Sequence, residues 1–335
     1  MTLIFLSSIW HLPASGVCEC TSALCQVSHN TAPLPLLLQM PGHSSFGKGM
    51  PHLTIPACGG TLDPTQDATY EFLVEFLNEM AVGIFTDPYL ALGGDEVSFG
   101  CAAGVRKAWL AIHNMSATEL LPYFWKRVTA DVLPKLTQER TLHVWGTDTL
   151  SNLDPGVVPP GTVFNLYTKL DATLETTAAR GVPGILSAPY YLDQTQSYRM
   201  GPGLGDDGNT LALRAQTASG DHACGVPIGH INQLWQCFYS ASPTDGITDP
   251  TLAANRSLVL GGESCIWGEG TSASSIEVQT LTLAAAVAER LWTGDLVEGG
   301  QAATGARLAN HVCLLTAMGL HASPVNPGFC MSDLV

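Results

Sequence analysis

Short apolar runs alternate with longer amphipathic stretches from about residue 35 to the end of this chain. Six runs of four or five mostly apolar residues predict buried strands at 36–39, 89–92, 142–145, 163–167, 184–187 and 257–260. Helices are predicted at about 67–80, 116–133, 171–180, 276–292 and 305–318. Ser116 and Glu119 have the spacing of a capping box at one helix start, and Gly181 is suited to end another helix.

The end of the helix at 276–292 holds three residues for which a structural role is predicted. Trp292 is predicted to pack in the core, because large aromatic side chains bury most of their surface in folded proteins. Glu289 and Arg290 are predicted to form a structural ion pair on the same helix.

Strand–helix alternation of this kind is typical of an α/β fold, here a (β/α)8 TIM-type barrel with functional residues at the carboxyl ends of the strands. About six of eight βα units can be assigned, so the barrel is predicted to be incomplete, with unpaired strand edges unless a partner covers them. The predicted domains are an irregular or signal-like segment at 1–33 and a partial barrel at 34–335. A Gly-rich loop insertion at about 199–231 is interpreted as a tolerated surface excursion, with a lid as the alternative.

Composition limits the partners of the chain. It is 46% hydrophobic and 13% charged, as expected of a globular and not a disordered protein. The formal net charge is −15 and the first lysine or arginine is Lys48, which argues against nucleic acid and anionic membrane as partners. No apolar run is long enough to span a membrane, whereas a neutral sugar is compatible with this charge.

The cysteines and the N-terminus leave alternatives open. None of the ten cysteines has the spacing of a zinc site, and no metal or organic cofactor is predicted; scattered cysteines are often buried thiols. Residues 2–12 are apolar like a signal peptide but lack basic residues, so a misplaced start that truncates a longer protein is the alternative. Sequons at Asn114 and Asn255 are compatible with secretion.

The strongest candidate for chemistry is the carboxylate pair Asp95 and Glu96, which follows Gly93 and Gly94 at the end of a predicted strand. Two glycines allow the backbone to turn sharply and to approach a ligand. Two neighbouring acids with different pKa values suit proton-transfer chemistry. An isolated Asp-Glu pair is usually a solvated surface feature, so the assignment depends on the other motifs of the chain.

Further motifs accompany this pair in a fixed order. The series is Pro41-Gly42-His43, Gly93-Gly94-Asp95-Glu96-Val97, His143-Val144-Trp145, Ser187-Ala188-Pro189-Tyr190-Tyr191-Leu192-Asp193, Gly261-Gly262-Glu263-Ser264-Cys265-Ile266-Trp267-Gly268-Glu269 and Glu289-Arg290-Leu291-Trp292. It resembles the catalytic domain of the β-N-acetylhexosaminidases of glycoside hydrolase family 20, particularly the eukaryotic lysosomal type, over about 35–330.

The resemblance implies an exo-β-N-acetylhexosaminidase that releases terminal non-reducing GlcNAc or GalNAc residues from glycans or glycoconjugates. Glu96 matches the general acid/base, Asp95 the carboxylate that orients the substrate acetamido group, and Tyr191 the hydroxyl that holds the acetamido oxygen for attack. The positions that match substrate-binding residues of the family are His43, Trp145, Tyr167, Asp193, Trp267 and Glu269.

Several positions depart from the family pattern. Tyr167 replaces a tryptophan, Gln39-Met40 replaces an acidic position before the His43 motif, and Thr147 stands where the family often has Glu. The first two family strands and an arginine near the start of the family barrel have no match. The alternative function is therefore that of a catalytically inactive truncated homologue, a glycan-binding or structural remnant.

The resemblance also implies the covalent structure and location of the protein. Disulfides are expected between Cys58 and Cys101 and between Cys313 and Cys330, with Cys265 as a free buried thiol. Oxidising biogenesis and a lysosomal or secreted location follow from such pairs. A homodimer is implied as well, although the sequence itself carries no interface signal.

Overall fold

The structure is a computed structural model that describes residues 6–9, 49–85, 87–94, 97, 99–145, 157–167, 170–187, 190–192, 234–244, 247–266, 272–294, 300–325 and 330. The chain divides into two compact units, Thr21–Asn165 and a second unit formed by Met1–Cys20 with Leu166–Val335. The predicted strand at 36–39 and the Gly-rich insertion lie outside the described residues.

In chain order, the strands are β1 (Leu6–Ile9), β2 (Thr54–Ile55), β3 (Thr61–Leu62), β4 (Tyr89–Ala91), β5 (Thr141–Trp145), β6 (Val163–Leu166), β7 (Gly184–Leu186) and β8 (Val259–Ser264). The α-helices are α1 (Asp67–Asn78), α2 (Ala102–Val105), α3 (Lys107–His113), α4 (Leu120–Arg127), α5 (Leu170–Ala179), α6 (Leu234–Ser240), α7 (Ile276–Thr293) and α8 (Gly300–Ala317). The predicted strands at 89–92, 142–145, 163–167 and 184–187 are confirmed by β4, β5, β6 and β7.

In the unit Thr21–Asn165, β5 lies between β4 and β6 and is parallel to both. All residues from Leu142 to Trp145 are buried, as expected of a parallel strand with both faces covered. Backbone hydrogen bonds join the carboxyl ends of β4 and β5: Leu92 N–H donates to His143 O (2.9 Å), and Trp145 N–H donates to Gly93 O (3.0 Å). Gly93 therefore lies beside Trp145 at this edge of the sheet.

The helix that follows begins at the predicted capping box. The Ser116 N–H donates to Glu119 Oε2 at 2.7 Å, and in return the Ser116 side chain accepts a hydrogen bond from the backbone N–H of Glu119. A 3₁₀ turn at Ala117–Glu119 leads into α4, which a π-helical turn continues over Val128–Val132. The predicted start is confirmed, and the predicted end near Leu133 agrees within two residues with a last 3₁₀ turn at Leu133–Lys135.

In the second unit, β8 is parallel to β7 on one side and antiparallel to β1 on the other. The four residues of β1 belong to the segment 1–33, for which an irregular or signal-like structure was predicted. Their register runs from Leu6 opposite Ser264 to Ile9 opposite Gly261. Residues 6–9 are therefore extended and occupy one edge of β8.

The predicted strand at 257–260 is wrong in position, since β8 spans Val259–Ser264 and a 3₁₀ helix occupies Pro250–Leu258. The prediction ended the strand before Gly261 and Gly262, whereas both lie inside it. A Cβ at Gly262 would lie 2.6 Å from Tyr190 Cε2 and 2.9 Å from the Leu186 carbonyl oxygen. This glycine therefore permits close packing within the sheet and does not end the strand.

The core of the second unit lies between α6 and α7. It contains two groups of buried side chains, which include Trp235, Phe238, Tyr239, Ala284, Ala286, Val287 and Leu291. Trp292 is 73% exposed, so its predicted place in the core is wrong. It follows the buried Leu291 directly, and adjacent residues of a helix point in directions about 100° apart, which places Trp292 off the buried face.

The predicted ion pair between Glu289 and Arg290 is also wrong. Glu289 pairs with Arg307 of α8. Arg290 is buried and donates to the carbonyl oxygens of Ala241 (3.0 Å) and Gly294 (2.7 Å). Neighbouring helical residues do not face one another, so each of the two side chains binds a different partner.

The predicted disulfides are confirmed, with Cα–Cα distances of 5.3 Å for Cys58–Cys101 and 5.2 Å for Cys313–Cys330. Cys265 is a buried free thiol, as expected.

Among the described helices, none is long and apolar enough to cross a membrane. Within the same part of the chain, His, Cys, Asp and Glu side chains do not form a group of three or more that could hold a metal ion.

The two sequons differ in their surroundings, and we expect a glycan on Asn114 but not on Asn255. Asn114 is exposed at the end of α3 with φ of 51°. The Asn255 Nδ2 instead donates to the Ala178 carbonyl oxygen at 2.8 Å, a bond that an attached glycan would remove. After expression in a secretory host, endoglycosidase should reduce the mass of Asn255→Gln but not of Asn114→Gln. The reverse result would contradict this assignment.

Candidate active site

Three of the nine predicted site residues, Trp145, Tyr167 and Tyr191, lie within the described residues. The other six lie outside them: His43, Asp95, Glu96, Asp193, Trp267 and Glu269. The structure therefore describes the scaffold, that is, the residues that flank these six positions in the sequence.

The backbone turns at Gly93 and Gly94, directly before Asp95. Their φ angles are 69° and 103°, in the left-handed region that side chains other than glycine rarely adopt. At Gly94 a Cβ would lie 2.6 Å from Cζ2 of Trp125, whose indole is buried in α4. The expected sharp turn at the end of the strand is confirmed, and Trp125 adds a steric reason why position 94 must be glycine.

Trp145 ends β5 and is 5% exposed. His143 lies two residues earlier, on the same face of the strand by alternation. Its ring is buried, and within the described part of the chain its Nε2 has no hydrogen-bond partner. Desolvation lowers the pKa of His143 to about 4, so the imidazole stays neutral in a mildly acidic compartment.

His143 is expected to make the fold less stable as the pH falls. The pKa of its imidazole is about 6.5 when it is solvated in the unfolded chain and about 4 in the fold, so between these values only the unfolded state takes up the proton. The contribution of His143 to the free energy of unfolding is therefore fully present above about pH 6.5. It declines by about 1.4 kcal/mol for each pH unit from there down to about pH 4. Urea unfolding at neutral pH and at about pH 5 measures this decline.

His143→Leu should lose less stability than the wild type over the same change in pH, since leucine does not titrate. His52→Gln serves as the control, because His52 is exposed in a 3₁₀ turn and its replacement leaves the buried imidazole in place. An equal loss of stability in the wild type and in His143→Leu would contradict the assignment.

In the second unit, a buried carboxyl group joins the ends of β7 and β8. Glu263 is 2% exposed, and its Oε1 accepts a hydrogen bond from Ser187 Oγ at 2.8 Å. The Cys265 thiol donates to the same oxygen at 3.7 Å. Buried polar groups require such partners, because an unsatisfied one costs free energy on folding.

Tyr191 lies beside this cluster and is 8% exposed. It forms an isolated parallel bridge with Cys265. On either side of it, Cys265 N–H donates to the Tyr190 carbonyl oxygen (3.3 Å), and Leu192 N–H donates to the Cys265 carbonyl oxygen (2.8 Å). Tyr191 therefore continues the pairing between the two chain segments beyond β7 and β8.

Tyr167 follows β6 directly and is half-buried. The carbonyl oxygen of the preceding Leu166 accepts the Ser187 N–H at 2.9 Å. Tyr167 thus lies next to the residue that pairs with the end of β7. The structure accordingly brings the neighbourhoods of Tyr167 and Tyr191 to the carboxyl ends of consecutive strands, as expected for site residues of a parallel α/β fold.

Four residues of this scaffold have no role in the sequence interpretation: Trp125, His143, Ser187 and Glu263. Three of them stand inside the quoted motifs, and strand alternation is the signal that could have singled them out. His143 precedes Trp145 by two residues, and Glu263 precedes Cys265 by two. Trp125 carries no such signal, because an aromatic residue on an amphipathic helix is typical of ordinary core packing.

A family model described as "Glycosyl hydrolase family 20, catalytic domain" matches residues 38–295, more than half of the chain. The chain belongs to glycosyl hydrolase family 20. The matched region contains all nine predicted site residues, from His43 to Glu269. The resemblance that the motif series indicated is therefore confirmed.

Several curated relatives are β-hexosaminidases. The chain is 29% identical over 303 residues to beta-hexosaminidase subunit beta of Homo sapiens, which covers 87% of this chain and 47% of the relative. It is 29% identical over 330 residues to beta-hexosaminidase 3 of Arabidopsis thaliana, with 88% and 50% covered. The chain thus spans about half the length of the curated relatives it matches.

Solved family 20 structures share the fold. The GH20 exo beta-N-acetylglucosaminidase of Vibrio harveyi in complex with N-acetylglucosamine aligns with a TM-score of 0.63 and 21% identity, covering 85% of this chain and 42% of that one. The beta-N-acetylhexosaminidase of Bacteroides fragilis aligns at 0.58 and 19%, covering 85% and 52%. The fold is an incomplete (β/α)8 barrel, as predicted, and within the described residues five strands, β4 to β8, have parallel partners.

Proposed function

We propose that the chain is an exo-β-N-acetylhexosaminidase that hydrolyses terminal non-reducing N-acetyl-D-hexosamine residues by substrate-assisted, retaining catalysis. The observation that carries the proposal is the ordered series of motifs inside the region matched by family 20, whose relatives are named as β-hexosaminidases. The Gly93-Gly94 turn directly before Asp95 and the backbone pairing of Tyr191 with Cys265 support it.

The chemistry divides between the substrate and three side chains. The oxygen of the substrate's 2-acetamido group attacks the anomeric carbon while the bond from that carbon to the leaving oxygen breaks. Glu96 gives its proton to the leaving oxygen, Asp95 accepts a hydrogen bond from the acetamido N–H, and the Tyr191 hydroxyl donates to the acetamido oxygen. Water, deprotonated by Glu96, then opens the cyclised intermediate, and the two inversions give net retention.

The remaining matched residues bind the sugar. The apolar face of the ring and the acetamido methyl group pack on Trp145, Trp267 and the smaller ring of Tyr167. Asp193 and Glu269 accept hydrogen bonds from the outer hydroxyls. His43 matches the family histidine that supports the acid pair. The protein would act in the secretory pathway, in the lysosome or after secretion, as a homodimer; the two disulfides support oxidising biogenesis.

The competing proposal is a catalytically inactive homologue that binds glycan or is a structural remnant. It is favoured by Gln39-Met40 in place of the acidic position before His43 and by the absence of a match to the family arginine. The first departure removes the acidic residue beside the His43 motif, and the second removes a contact to the outer hydroxyls of the sugar, whereas the acid pair itself is retained. An enzyme and a remnant therefore differ in their affinity for the reaction intermediate more than in their affinity for the sugar.

Calorimetric titration with N-acetylglucosamine and with its thiazoline separates the two proposals. The thiazoline mimics the cyclised acetamido intermediate, so an active site should bind it at least about 10²-fold more tightly than the sugar. Tyr191→Phe should remove most of that preference, whereas Tyr123→Phe, a change on α4, should preserve it. Equal affinity of the wild type for the two ligands would favour the remnant.

A further inference from the structure

Glu263 is a buried carboxyl group for which the proposed chemistry has no use. Its Oε1 accepts hydrogen bonds from two side chains, Ser187 Oγ at 2.8 Å and Cys265 Sγ at 3.7 Å. These donors belong to different chain segments, one directly after β7 and the other directly after β8. The carboxyl group therefore fixes the spacing between the two segments where both strands end.

Both donors also hold the backbone around Tyr191. The Ser187 carbonyl oxygen accepts the Tyr190 N–H at 2.9 Å. Cys265 pairs with Tyr191 as a parallel bridge and makes backbone hydrogen bonds to Tyr190 (3.3 Å) and Leu192 (2.8 Å). A shift of either donor would therefore move the backbone that carries the Tyr191 side chain.

Tyr190 secures the same segment independently of the carboxyl group. Its side chain is fully buried, and its hydroxyl donates to the Ala241 carbonyl oxygen at 3.1 Å. Its ring lies so close to Gly262 that a Cβ there would be 2.6 Å from Cε2. Loss of the Glu263 contacts should therefore leave the segment folded and loosen only its alignment.

We propose that Glu263 is a positioning residue that acts through Ser187 and Cys265 to align Tyr191. The inference rests on the proposed function for the role of Tyr191 in holding the acetamido oxygen. The alignment itself is a property of the fold and can be measured without turnover. The Tyr191 hydroxyl must donate a hydrogen bond to one substrate oxygen, so its position must be closely fixed. Small displacements of a positioning group lower reaction rates strongly.

The first measurement is amide hydrogen exchange at Tyr190 and Leu192 in the full chain, by NMR. Ser187→Ala and Glu263→Leu, which remove the donor and the acceptor, should each accelerate exchange at these amides by about tenfold, the effect of one lost buried hydrogen bond. Ser264→Ala is the matched control: Ser264 is the neighbour of Glu263, equally buried, and within the described residues its hydroxyl has no hydrogen-bond partner. Its removal should leave exchange at both amides unchanged.

The second measurement is a double-mutant cycle on hydrolysis of an N-acetyl-β-glucosaminide. Ser187→Ala and Glu263→Leu should lower kcat with little change in KM, Ser187→Thr should restore it, and neither variant should lower kcat further in a Tyr191→Phe background. Unchanged exchange in Ser187→Ala and Glu263→Leu, or fully additive losses of kcat, would overturn the inference. A wild type without activity but with the expected exchange pattern would instead refute the proposed function and leave the positioning role standing.

Discussion

Glu96→Gln is expected to keep the fold and to lose about 10²–10⁴-fold in kcat on N-acetyl-β-glucosaminides, the usual contribution of general acid–base catalysis. Glutamine has nearly the same shape as glutamic acid but gives no proton to the leaving oxygen. The loss should be larger for a disaccharide, whose leaving alkoxide needs that proton, than for a nitrophenyl glycoside, whose leaving group is stable as an anion. Initial rates on both substrates measure the difference.

Glu71→Gln on the exposed face of α1 is the control for the loss of one carboxylate and should match the wild type. Asp95→Asn should also lose activity, because it replaces the carboxylate that orients the 2-acetamido group of the substrate. If Glu96→Gln turned over the disaccharide as fast as the wild type, the assignment of the general acid would be wrong.

Gly94→Ala is expected to destabilise the fold by about 2–5 kcal/mol and to abolish most activity. Alanine would be forced to adopt a φ of 103°, and its methyl group would lie 2.6 Å from the Trp125 ring. Backbone strain of this kind costs about 1–3 kcal/mol, and overpacking against a buried ring costs a similar amount. The next residue is Asp95, so any relief of the clash displaces the acid pair, and a shift of about 1 Å can cost 10²-fold in rate.

Gly104→Ala is the matched control for this substitution. Gly104 lies in α2, and a Cβ there would meet no atom within 4 Å, so alanine should be neutral or stabilise the helix by about 0.5–1 kcal/mol. Urea unfolding and initial rates on both variants test the comparison. A Gly94→Ala protein with the stability and activity of the wild type would show that the turn before the acids is not constrained.

Much of the fold follows from local pattern, because the parallel strands are buried on both faces and so appear as continuous apolar runs. The strand β5 and the capping box at Ser116 are predicted for this reason. β8 is misplaced, since two glycines are indistinguishable in sequence from a turn, and only the approach of Tyr190 shows why Gly262 lies inside a strand. The prediction for Trp292 is wrong for a similar reason, because composition does not tell which side of a helix end packs against the core.

In the candidate site, too, residues with a local sequence signal are predicted and residues that depend on tertiary packing are not. The acids, the tyrosine and the tryptophan walls are predicted because they stand in motifs with family-specific spacing. His143, Glu263 and Trp125 are not, because their importance arises from burial and from partners distant in sequence, such as Ser187 for Glu263. Residues that shape a site through tertiary packing leave little local signal, whereas residues that contact substrate recur as motifs.

The central claim is that the substrate's own acetamido group is the nucleophile. The most direct test compares hydrolysis of nitrophenyl N-acetyl-β-D-glucosaminide with that of nitrophenyl β-D-glucoside by the wild-type chain, with the anomer of the first product followed by NMR. We expect that only the acetamido substrate is cleaved and that the sugar is released first as the β-anomer. Cleavage of both substrates at similar rates, or release of the α-anomer, would contradict it.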